Sequence, residues 1–349
     1  MSKTVLGIIG GGQLGSMLAM AAKNLEIETI IFCDDVNAPA QKYSNYFIHG
    51  KYDDQKKIKE FIKRVDVITF EFENIPYKTL SKINKIKPVY PKPSINRIIQ
   101  NRLSEKKFLN KINIKTTDYV LIKKKTQINS SMSLIPGLLK TTTLGYDGKG
   151  QYKIMSVNDL KNLKINFSKE FILEKLVKLK KEISIIITRF SKNKYEIYEP
   201  VENIHKNQIL KYSKIPAKIS TKNSKKTKEW AIKIAEKLDY IGTLCVEFFI
   251  DNYDNLYVNE IAPRVHNSGH LTINAYNISQ FENHIRAVCA LKKIKIRKLF
   301  NAKMNNLIGN EISIYRKRNF SRNQFFYDYL KKKIKPKRKM GHLTTIYKK

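Results

Sequence analysis

The sequence predicts an α/β fold that begins with a parallel βαβ unit. Residues 4–9 are mostly apolar, Gly10-Gly11-Gly12 follows, and Gln13–Asn24 has apolar residues at helical spacing. A second apolar segment, Glu28–Cys33, comes next. Strand, glycine turn, helix and strand in this order are typical of parallel sheets, in which a helix connects neighbouring strands.

Further along, the pattern predicts a mixture of helices and strands. A helix is expected at 54–63 and a third strand at 65–72, and Pro88, Pro91 and Pro93 then mark a boundary. Beyond it, the predicted helices are 94–111, 224–238 and 279–291, and the predicted strands are 134–142, 171–173, 182–189, 244–250 and 256–261. The lysine-rich residues after 291 receive no assignment.

The formal net charge of +37 raises the question of a nucleic-acid partner. Lysines are scattered along the whole chain, however, and no basic block with interleaved aromatic residues is present. Lys, Asn and Ile are all frequent and their codons are AT-rich, so genomic base composition can produce this charge without selection for polyanion binding. We therefore expect no specific nucleic-acid binding, only nonspecific adhesion to polyanions at low salt.

Length and cysteine content limit the class of protein. A chain of 349 residues with 42% hydrophobic content can form two or three packed domains. No apolar run approaches the roughly 18 residues that span a bilayer, and no targeting peptide is apparent at the start. Cys33, Cys245 and Cys289 match neither a disulfide framework nor a zinc pattern. We expect a cytoplasmic protein without a membrane partner.

The first glycine cluster matches G-x-G-x-x-G at Gly10, Gly12 and Gly15, between a strand and a helix. Such a loop lets the backbone approach a phosphate at a helix N-terminus, as in dinucleotide-binding dehydrogenases. Asp34 and Asp35 end the second strand, where a ribose-binding acid would lie. No nicotinamide site is apparent later in the chain, and a tight strand–helix turn explains the glycines equally well.

A second glycine-rich loop follows the predicted strand that ends near Lys140. Its residues 145–151, GYDGKGQ, can present several backbone N–H groups to a triphosphate, and Lys140 would add a positive charge. It is not a P-loop, since no G-K-[ST] is present. A plain hairpin is the alternative, because Asp147-Gly148 is a good turn dipeptide.

Two acids on adjacent strands favour a nucleotide site. If Ile250 pairs with Tyr257 across the turn, Glu247 falls directly opposite Glu260, with Cβ atoms about 5 Å apart. Like charges at this distance are destabilising unless a cation such as Mg²⁺ lies between them, and Mg²⁺ can also bridge nucleotide phosphates. Asn259 would add an oxygen ligand or a nearby contact.

The segment after these strands, APRVHNSGH, suits an anionic ligand. Arg264 has small polar neighbours, which is typical of anion recognition. His266 and His270 are four residues apart, but Asn-Ser-Gly between them favours a loop over a helical zinc pair.

With these motifs in place, the chain resembles the N5-carboxyaminoimidazole ribonucleotide synthases along nearly its whole length. The segments that carry the resemblance are GIIGGGQLGSML (7–18), TFEFENIP (69–76), GYDGKGQ (145–151), NEIAPRVHNSGH (259–270) and GHL (341–343). Two departures stand out. The C-terminal PGRK-type turn reads Pro336-Lys337-Arg338-Lys339, and Asn101-Arg102 replaces a common Asp-Arg.

The resemblance implies a fold of the combined α/β and α+β classes in three parts. These are an N-terminal parallel α/β domain (1–93), a two-lobed ATP-grasp domain (94–291) and a small C-terminal domain (292–349). It also implies ATP and Mg²⁺ as cofactors, small-molecule substrates including bicarbonate and aminoimidazole ribonucleotide, and a homodimer.

The resemblance further implies site residues. The expected ATP-binding residues are Arg102, Lys140, Gly145, Tyr146, Asp147, Gly148, Lys149, Gly150, Gln151, Glu174, Lys175, Leu176, Val177, Glu182, His205, Asn259 and Glu260. The expected substrate-binding residues are Gln13, Leu14, Glu73, Tyr146, Asp147, Arg264, His266, Arg338 and Lys339. Glu247 and Glu260 would carry the metal, and Asp147, Lys140 and Arg264 would be catalytic.

The implied reaction is an ATP-dependent carboxylation, in which bicarbonate attacks the γ-phosphate of ATP and the resulting carboxyphosphate delivers its carbon to the exocyclic amine. Asp147 is the candidate proton acceptor. Formate-dependent glycinamide ribonucleotide transformylase and biotin carboxylase are the nearest rival readings, and GYDGKGQ with HNSGH favours the imidazole enzyme.

Overall fold

The computed structural model describes residues 4–348 except 125, 130, 144, 146–149, 157, 160, 161, 164 and 167, and of residues 128 and 129 it describes the backbone only. Within this part of the chain the strands form a parallel sheet near the N-terminus and two antiparallel sheets after it. None of the described helices has both the length and the apolar character that a membrane crossing needs.

The N-terminal sheet is parallel, with the order β3-β2-β1-β4. Its elements are β1 (Val5–Ile9), α1 (Gln13–Asn24), β2 (Glu28–Cys33), β3 (Tyr46–His49), α2 (Gln55–Lys63), β4 (Val67–Phe70) and α3 (Tyr77–Asn84). The predicted βαβ beginning is therefore confirmed. The strand β3 was not predicted. The third predicted strand, 65–72, corresponds to β4, which is shorter and spans Val67–Phe70.

The single helix predicted at 94–111 is wrong, because the structure has two helices there. They are α4 (Pro93–Ile99) and α5 (Arg102–Lys111). Asn101 caps α5, since its side-chain oxygen accepts hydrogen bonds from the backbone N–H groups of Leu103 and Ser104 at 3.0 and 3.1 Å. The break matters for the site because it places Arg102 in the first turn of α5.

A small antiparallel sheet forms the next layer, with the order β5-β8-β6-β7. Its elements are β5 (Tyr119–Ile122), α6 (Thr126–Asn129), β6 (Gly137–Thr141), β7 (Gln151–Ile154) and β8 (Phe171–Lys175). The loop 145–151 connects β6 to β7, and Lys140 pairs with Gln151 in the ladder. The two strands on either side of the second glycine cluster therefore pair with each other at the edge of this sheet.

The third sheet has nine strands, and it includes the C-terminal part of the chain. The order is β14-β13-β9-β11-β12-β15-β17-β16, with β10 paired to β9. The strands are β9 (Leu179–Ser191), β10 (Lys194–Ile197), β11 (Val201–Lys206), β12 (Ile209–Ile215), β13 (Gly242–Asp251), β14 (Leu256–Ala262), β15 (Asn301–Ile308), β16 (Gln324–Asp328) and β17 (Lys339–Tyr347). The helices are α7 (Thr221–Lys237), α8 (Thr272–Ala275), α9 (Gln280–Val288) and α10 (Glu311–Tyr315).

Helix α9 joins the large sheet to the N-terminal sheet. Ser279 caps it, with the backbone N–H of Glu282 donating to the Ser279 hydroxyl at 3.1 Å, as the capping-box spacing predicts. Its Phe281 and Ile285 share a core with α1. Its buried His284 accepts a hydrogen bond from the N–H of Thr243 at Nδ1 and lies 2.8 Å from the hydroxyl of Thr69 at Nε2. These contacts fix the N-terminal sheet against the large sheet.

Candidate active site

A cleft of about 900 Å³ lies where the three sheets meet. It brings together many of the residues that the sequence predicts for ATP, metal and substrate. The predicted residues that line it are Gln13, Leu14, Glu73, Arg102, Lys140, Gly145, Gln151, Glu182, His205, Glu247, Asn259, Glu260, Arg264, His266, Arg338 and Lys339.

Glu247 and Glu260 lie opposite each other on β13 and β14, as expected, but the strand register that produces this pairing is different. Ile250 pairs with Leu256 and not with Tyr257, so the predicted turn was wrong. A β-bulge between Glu247 and Phe248 leaves Asn259 as the extra residue on β14 and restores the alignment of the two acids. Because of the bulge, Asn259 and Glu260 both line the cleft.

The environment of Glu247 favours a bound cation. Burial and the facing charge of Glu260 raise the pKa of Glu247 to about 7. His266 Nε2 lies 3.3 Å from a Glu247 carboxylate oxygen, and its Nδ1 accepts from the N–H of Ser268. Burial, aided by the charges of Arg264 and Lys339, lowers the pKa of His266 well below its usual value, so a neutral imidazole lies beside the Glu247 carboxyl.

A third acid lies behind the pair, and sequence reasoning missed it. Glu105, on α5, is buried and accepts a hydrogen bond from the backbone N–H of Ile261 at 2.6 Å. Burial and the charge of Glu260 raise its pKa to about 8. One turn earlier, Arg102 Nη1 lies 3.5 Å from Glu260. The one signal for Glu105 was its helical spacing from Arg102.

Lys140 is buried at the base of the small sheet and forms an ion pair with Glu174 at 3.1 Å. Lys106, which the sequence analysis also missed, lies 3.4 Å from the same carboxylate oxygen. Burial alone would raise the pKa of Glu174, but the two lysines lower it to about 2. Lys106 lies four residues after Arg102 on one face of α5, which is the signal that could have identified it.

Glu73 and Arg264 form a partly buried bidentate pair across the cleft. The Arg264 Nε and Nη2 atoms donate to the two Glu73 carboxylate oxygens at 2.5 and 3.2 Å. Burial opposes ionisation of Glu73, but Arg264 outweighs it and lowers the pKa of the carboxyl. Gln100 fixes the loop after β4 by donating from Nε2 to the Glu73 carbonyl at 2.6 Å.

The first glycine cluster does not bind a dinucleotide, because a side chain of the protein occupies the helix N-terminus. One Glu71 carboxylate oxygen accepts from the N–H of Gly12, and the other accepts from the N–H of Gly15 at 2.6 Å. A Cβ atom at Gly10 would lie 2.5 Å from Glu71 Cγ, and one at Gly12 would lie 2.7 Å from a Glu71 oxygen. The glycines therefore admit an internal anion, which removes the dehydrogenase alternative.

Two further contacts hold cleft residues in place. His205 Nδ1 lies 2.5 Å from a Glu182 oxygen, and this acid raises the pKa of His205 against the effect of burial. On the other side, Lys331 Nζ donates to the Gln13 side-chain oxygen at 2.8 Å and to the Lys339 carbonyl at 2.6 Å. Lys331 therefore ties β17 to α1.

The remaining predicted residues are not among those that line the cleft. Tyr146, Asp147, Gly148 and Lys149 fall outside the described residues, so the predicted roles of Tyr146 and Asp147 stay predictions. Gly150 packs against Thr141 in the hairpin. Glu174 and Lys175 are the last two residues of β8, and Leu176 and Val177 begin the connection to β9.

Three family models match successive parts of the chain. A ribonucleotide synthetase preATP-grasp domain matches residues 2–100, an ATP-grasp domain residues 107–281, and a phosphoribosylaminoimidazole carboxylase C-terminal domain residues 302–349. The fold and the cleft therefore define an ATP-grasp enzyme, and the predicted three-part fold is confirmed.

Within that class, the chain belongs to the N5-carboxyaminoimidazole ribonucleotide synthase family. A synthase from Brucella melitensis biotype 1 is 39% identical over 348 residues, which cover 98% of this chain and 96% of the relative. A Staphylococcus aureus (strain COL) synthase is 37% identical over 346 residues, covering 98% and 92%.

Solved structures agree with this assignment. The Staphylococcus aureus N5-carboxyaminoimidazole synthetase complexed with ADP has a TM-score of 0.94 at 36% identity, and the match covers 100% of this chain and 95% of that one. The Aspergillus clavatus synthase in complex with ADP and 5-aminoimidazole ribonucleotide has a TM-score of 0.90 at 27% identity, covering 99% and 95%.

Proposed function

We propose that the protein uses ATP and bicarbonate to carboxylate 5-aminoimidazole ribonucleotide, giving N5-carboxyaminoimidazole ribonucleotide in purine biosynthesis. The observation that carries the proposal is the convergence of two kinds of group on one cleft. The acid pair Glu247 and Glu260 suits a metal–nucleotide, and Arg264, Arg338 and Lys339 suit an anionic second substrate.

ATP would bind between the small sheet and the large sheet. Arg102, Lys140 and the 145–151 loop would contact its phosphates, and the 174–177 connection would contact the base. Lys140 is paired with Glu174 in this structure. Lys106 contacts the same carboxylate, so Glu174 would keep a cationic partner if Lys140 left it. Lys140 can therefore turn towards a phosphate.

The donor set around Glu247 fits Mg²⁺. Two carboxylates and the Asn259 side-chain oxygen are hard ligands, which this cation prefers. A cation would also relieve the repulsion that raises the pKa of Glu247. When bound, it supplies positive charge beside the phosphates.

The ribonucleotide would bind on the N-terminal side of the cleft. The Glu73 carboxylate, fixed by Arg264, would accept a hydrogen bond from the substrate, and Arg338 and Lys339 would bind its phosphate. Gln13 and Leu14 line the same side, because the Glu71 carboxylate fixes the loop before α1.

The proposed reaction has two chemical steps, and side chains of the protein assist each of them. A bicarbonate oxygen attacks the γ-phosphorus of ATP, the bond to ADP breaks, and carboxyphosphate forms while Lys140 and Arg102 stabilise the developing charge. The exocyclic amine attacks the carbonyl carbon, phosphate leaves with the bridging oxygen, and Asp147 accepts the amine proton. Closure over the cleft would protect carboxyphosphate from water.

Phosphate release tests this proposal. We expect ATP turnover to require bicarbonate and to be strongly stimulated by aminoimidazole ribonucleotide. Stimulation by glycinamide ribonucleotide with formate would instead assign the chain to the transformylase reaction. Glu229→Gln, an exposed change on α7, serves as the control variant and should turn over normally.

We also propose a cytoplasmic homodimer. The free thiols of Cys33, Cys245 and Cys289 are consistent with a reducing compartment. The dimer follows from the family resemblance alone. Light scattering during size-exclusion chromatography would give the mass, and a monomer across the micromolar range would contradict the dimer.

A further inference from the structure

A second cavity, of about 1060 Å³, adjoins the cleft, and of its lining residues Arg338 alone has a binding role in the reaction above. Three separate segments line it: Asp35, Asn37 and Pro39 from the segment that follows β2, 207–209 from the β11–β12 turn, and 331–338 before β17. Gln208, Lys331 and Arg338 also line the catalytic cleft. The cavity therefore opens into the cleft at Arg338.

The walls of this cavity are strongly basic. Lys332, Lys333, Lys335 and Lys337 are exposed along the loop that precedes β17. Among its described lining residues, Asp35 is the only acid, and in the described part of the chain no ion pair involves Lys333, Lys335 or Lys337. Several cations without matching acids on one concave surface produce a positive potential that attracts anions.

The backbone at Lys337 gives an independent reason to assign a role to this loop. Its φ is +61°, in the left-handed region that favours glycine. The conformation is held on both sides, since Gly309 N–H donates to the Arg338 carbonyl at 2.9 Å and Arg338 N–H donates to the Lys335 carbonyl at 3.2 Å. A lysine here costs stability, and strain of this kind is concentrated at functional sites.

We propose that this cavity is an outer anion-binding site, which takes the phosphate monoester of the ribonucleotide before it reaches Arg338, and that Lys337 contributes charge to it. Lysine suits this role because its ammonium is a hydrated point charge that attracts a phosphate without fixing its orientation. Arg338, with a planar fork of donors, lies where the cavity meets the cleft and completes the transfer. The proposal rests on the proposed function, since it names the route of that substrate.

Lys337→Gly separates strain from function. Glycine relieves the left-handed conformation, so the variant should melt at a higher temperature than the wild type. The same change removes a charge from the cavity, so kcat/KM for aminoimidazole ribonucleotide should fall about threefold at low salt, while KM for ATP stays constant. The difference should vanish at high salt, because screening weakens attraction between exposed charges. A stabilised variant with unchanged kcat/KM would overturn the proposal.

A combined variant and two controls sharpen the comparison. Neutralising Lys333, Lys335 and Lys337 with Gln should lower kcat/KM about tenfold at low salt. Neutralising the exposed Lys222, Lys233 and Lys237 of α7 removes the same charge elsewhere and should leave kcat/KM unchanged. Glu26→Gly relieves a left-handed residue at φ +56°, after α1, and should raise the melting temperature without a kinetic effect. Equal losses from both triple variants would assign the effect to net charge.

A binding measurement distinguishes failure of this proposal from failure of the proposed function. Inorganic phosphate and ribose 5-phosphate can be titrated calorimetrically into the wild type and Lys337→Gly without ATP. If aminoimidazole ribonucleotide does not stimulate ATP turnover, the proposed function fails, but weaker phosphate binding by the variant still supports an anion site. If turnover is normal and both proteins bind phosphate equally, the outer site is wrong.

Discussion

Glu260→Gln should change the stability of the protein in a direction that depends on pH. The side chain of Glu260 is 40% exposed, faces Glu247 across the ladder, and lies 3.5 Å from Arg102. Its charge contributes to the raised pKa values of Glu247, about 7, and Glu105, about 8. The substitution removes unfavourable interactions with these two acids, and it also removes favourable interactions with Arg102 and Arg264.

The balance can be worked from these contacts. The attractions of Glu260 to Arg102 and Arg264 together contribute about 1 kcal/mol, because the Glu260 side chain is partly exposed. Repulsion between Glu260 and each ionised acid costs on the order of 1 kcal/mol, so its removal gains about 2 kcal/mol when both acids are ionised. Groups with raised pKa values stabilise the fold at low pH and lose that contribution as pH rises through about 7–8. We therefore expect the variant to be more stable than wild type by about 1 kcal/mol at about pH 8.5, and no more stable at about pH 5.

Urea unfolding of both proteins across this pH range, without nucleotide, measures the difference. Glu229→Gln, more than half exposed on α7, is the matched control and should show no change with pH. A Glu260→Gln variant that is less stable by the same amount at every pH would refute the reasoning. Magnesium ATP at about 100 times its Kd should stabilise the wild type by about 2–3 kcal/mol, and the variant should lose most of this shift.

Two further substitutions test the other side-chain contacts of the cleft. Arg264→Lys cannot form the bidentate contact with Glu73, so kcat/KM for aminoimidazole ribonucleotide should fall about 100-fold with little change in KM for ATP. Steady-state kinetics with each substrate varied in turn measures both constants. If the pair only supports the fold, the kinetic constants for both substrates should change equally. Lys106→Met removes one of the two lysines that pair with Glu174, so Glu174 should hold Lys140 more tightly and KM for ATP should rise about tenfold. Isothermal titration with ADP should detect the same loss of nucleotide affinity. Unchanged ADP affinity would show that Lys106 does not act on the nucleotide site.

Much of the fold could be predicted because its elements are locally marked. Helix α1 and strand β2 occupy the expected residues, since apolar periodicity and the glycine turn determine both. The break before Arg102 was missed because apolar residues continue through it, and a single Asn cap decides where α5 begins. The C-terminal strands were missed because β15 pairs with β12, some 90 residues earlier, and such long-range pairing leaves no local pattern.

The site residues that belong to a sequence motif could be predicted, and those defined only by a contact in the folded protein could not. The glycine loops, the acid pair and Arg264 all lie in recognisable segments. Glu71 lies in the segment TFEFENIP (69–76), but its contact with the glycine loop depends on how β4 aligns with β1. The pairing of Glu247 with Glu260 was expected from a turn that proved wrong, and the bulge at Asn259 compensates for the error. Bulges depend on packing and were not visible in the sequence.

The transfer of oxygen from bicarbonate to phosphate tests the proposed reaction most directly. Carboxyphosphate forms through a bicarbonate oxygen, and that oxygen stays on phosphorus when the carbonyl carbon moves to the amine. Turnover with ¹⁸O-labelled bicarbonate, ATP and aminoimidazole ribonucleotide should therefore yield phosphate with one labelled oxygen per molecule, measured by mass spectrometry or ³¹P NMR. Phosphate that carries no label while the ribonucleotide is carboxylated would contradict attack by bicarbonate on ATP.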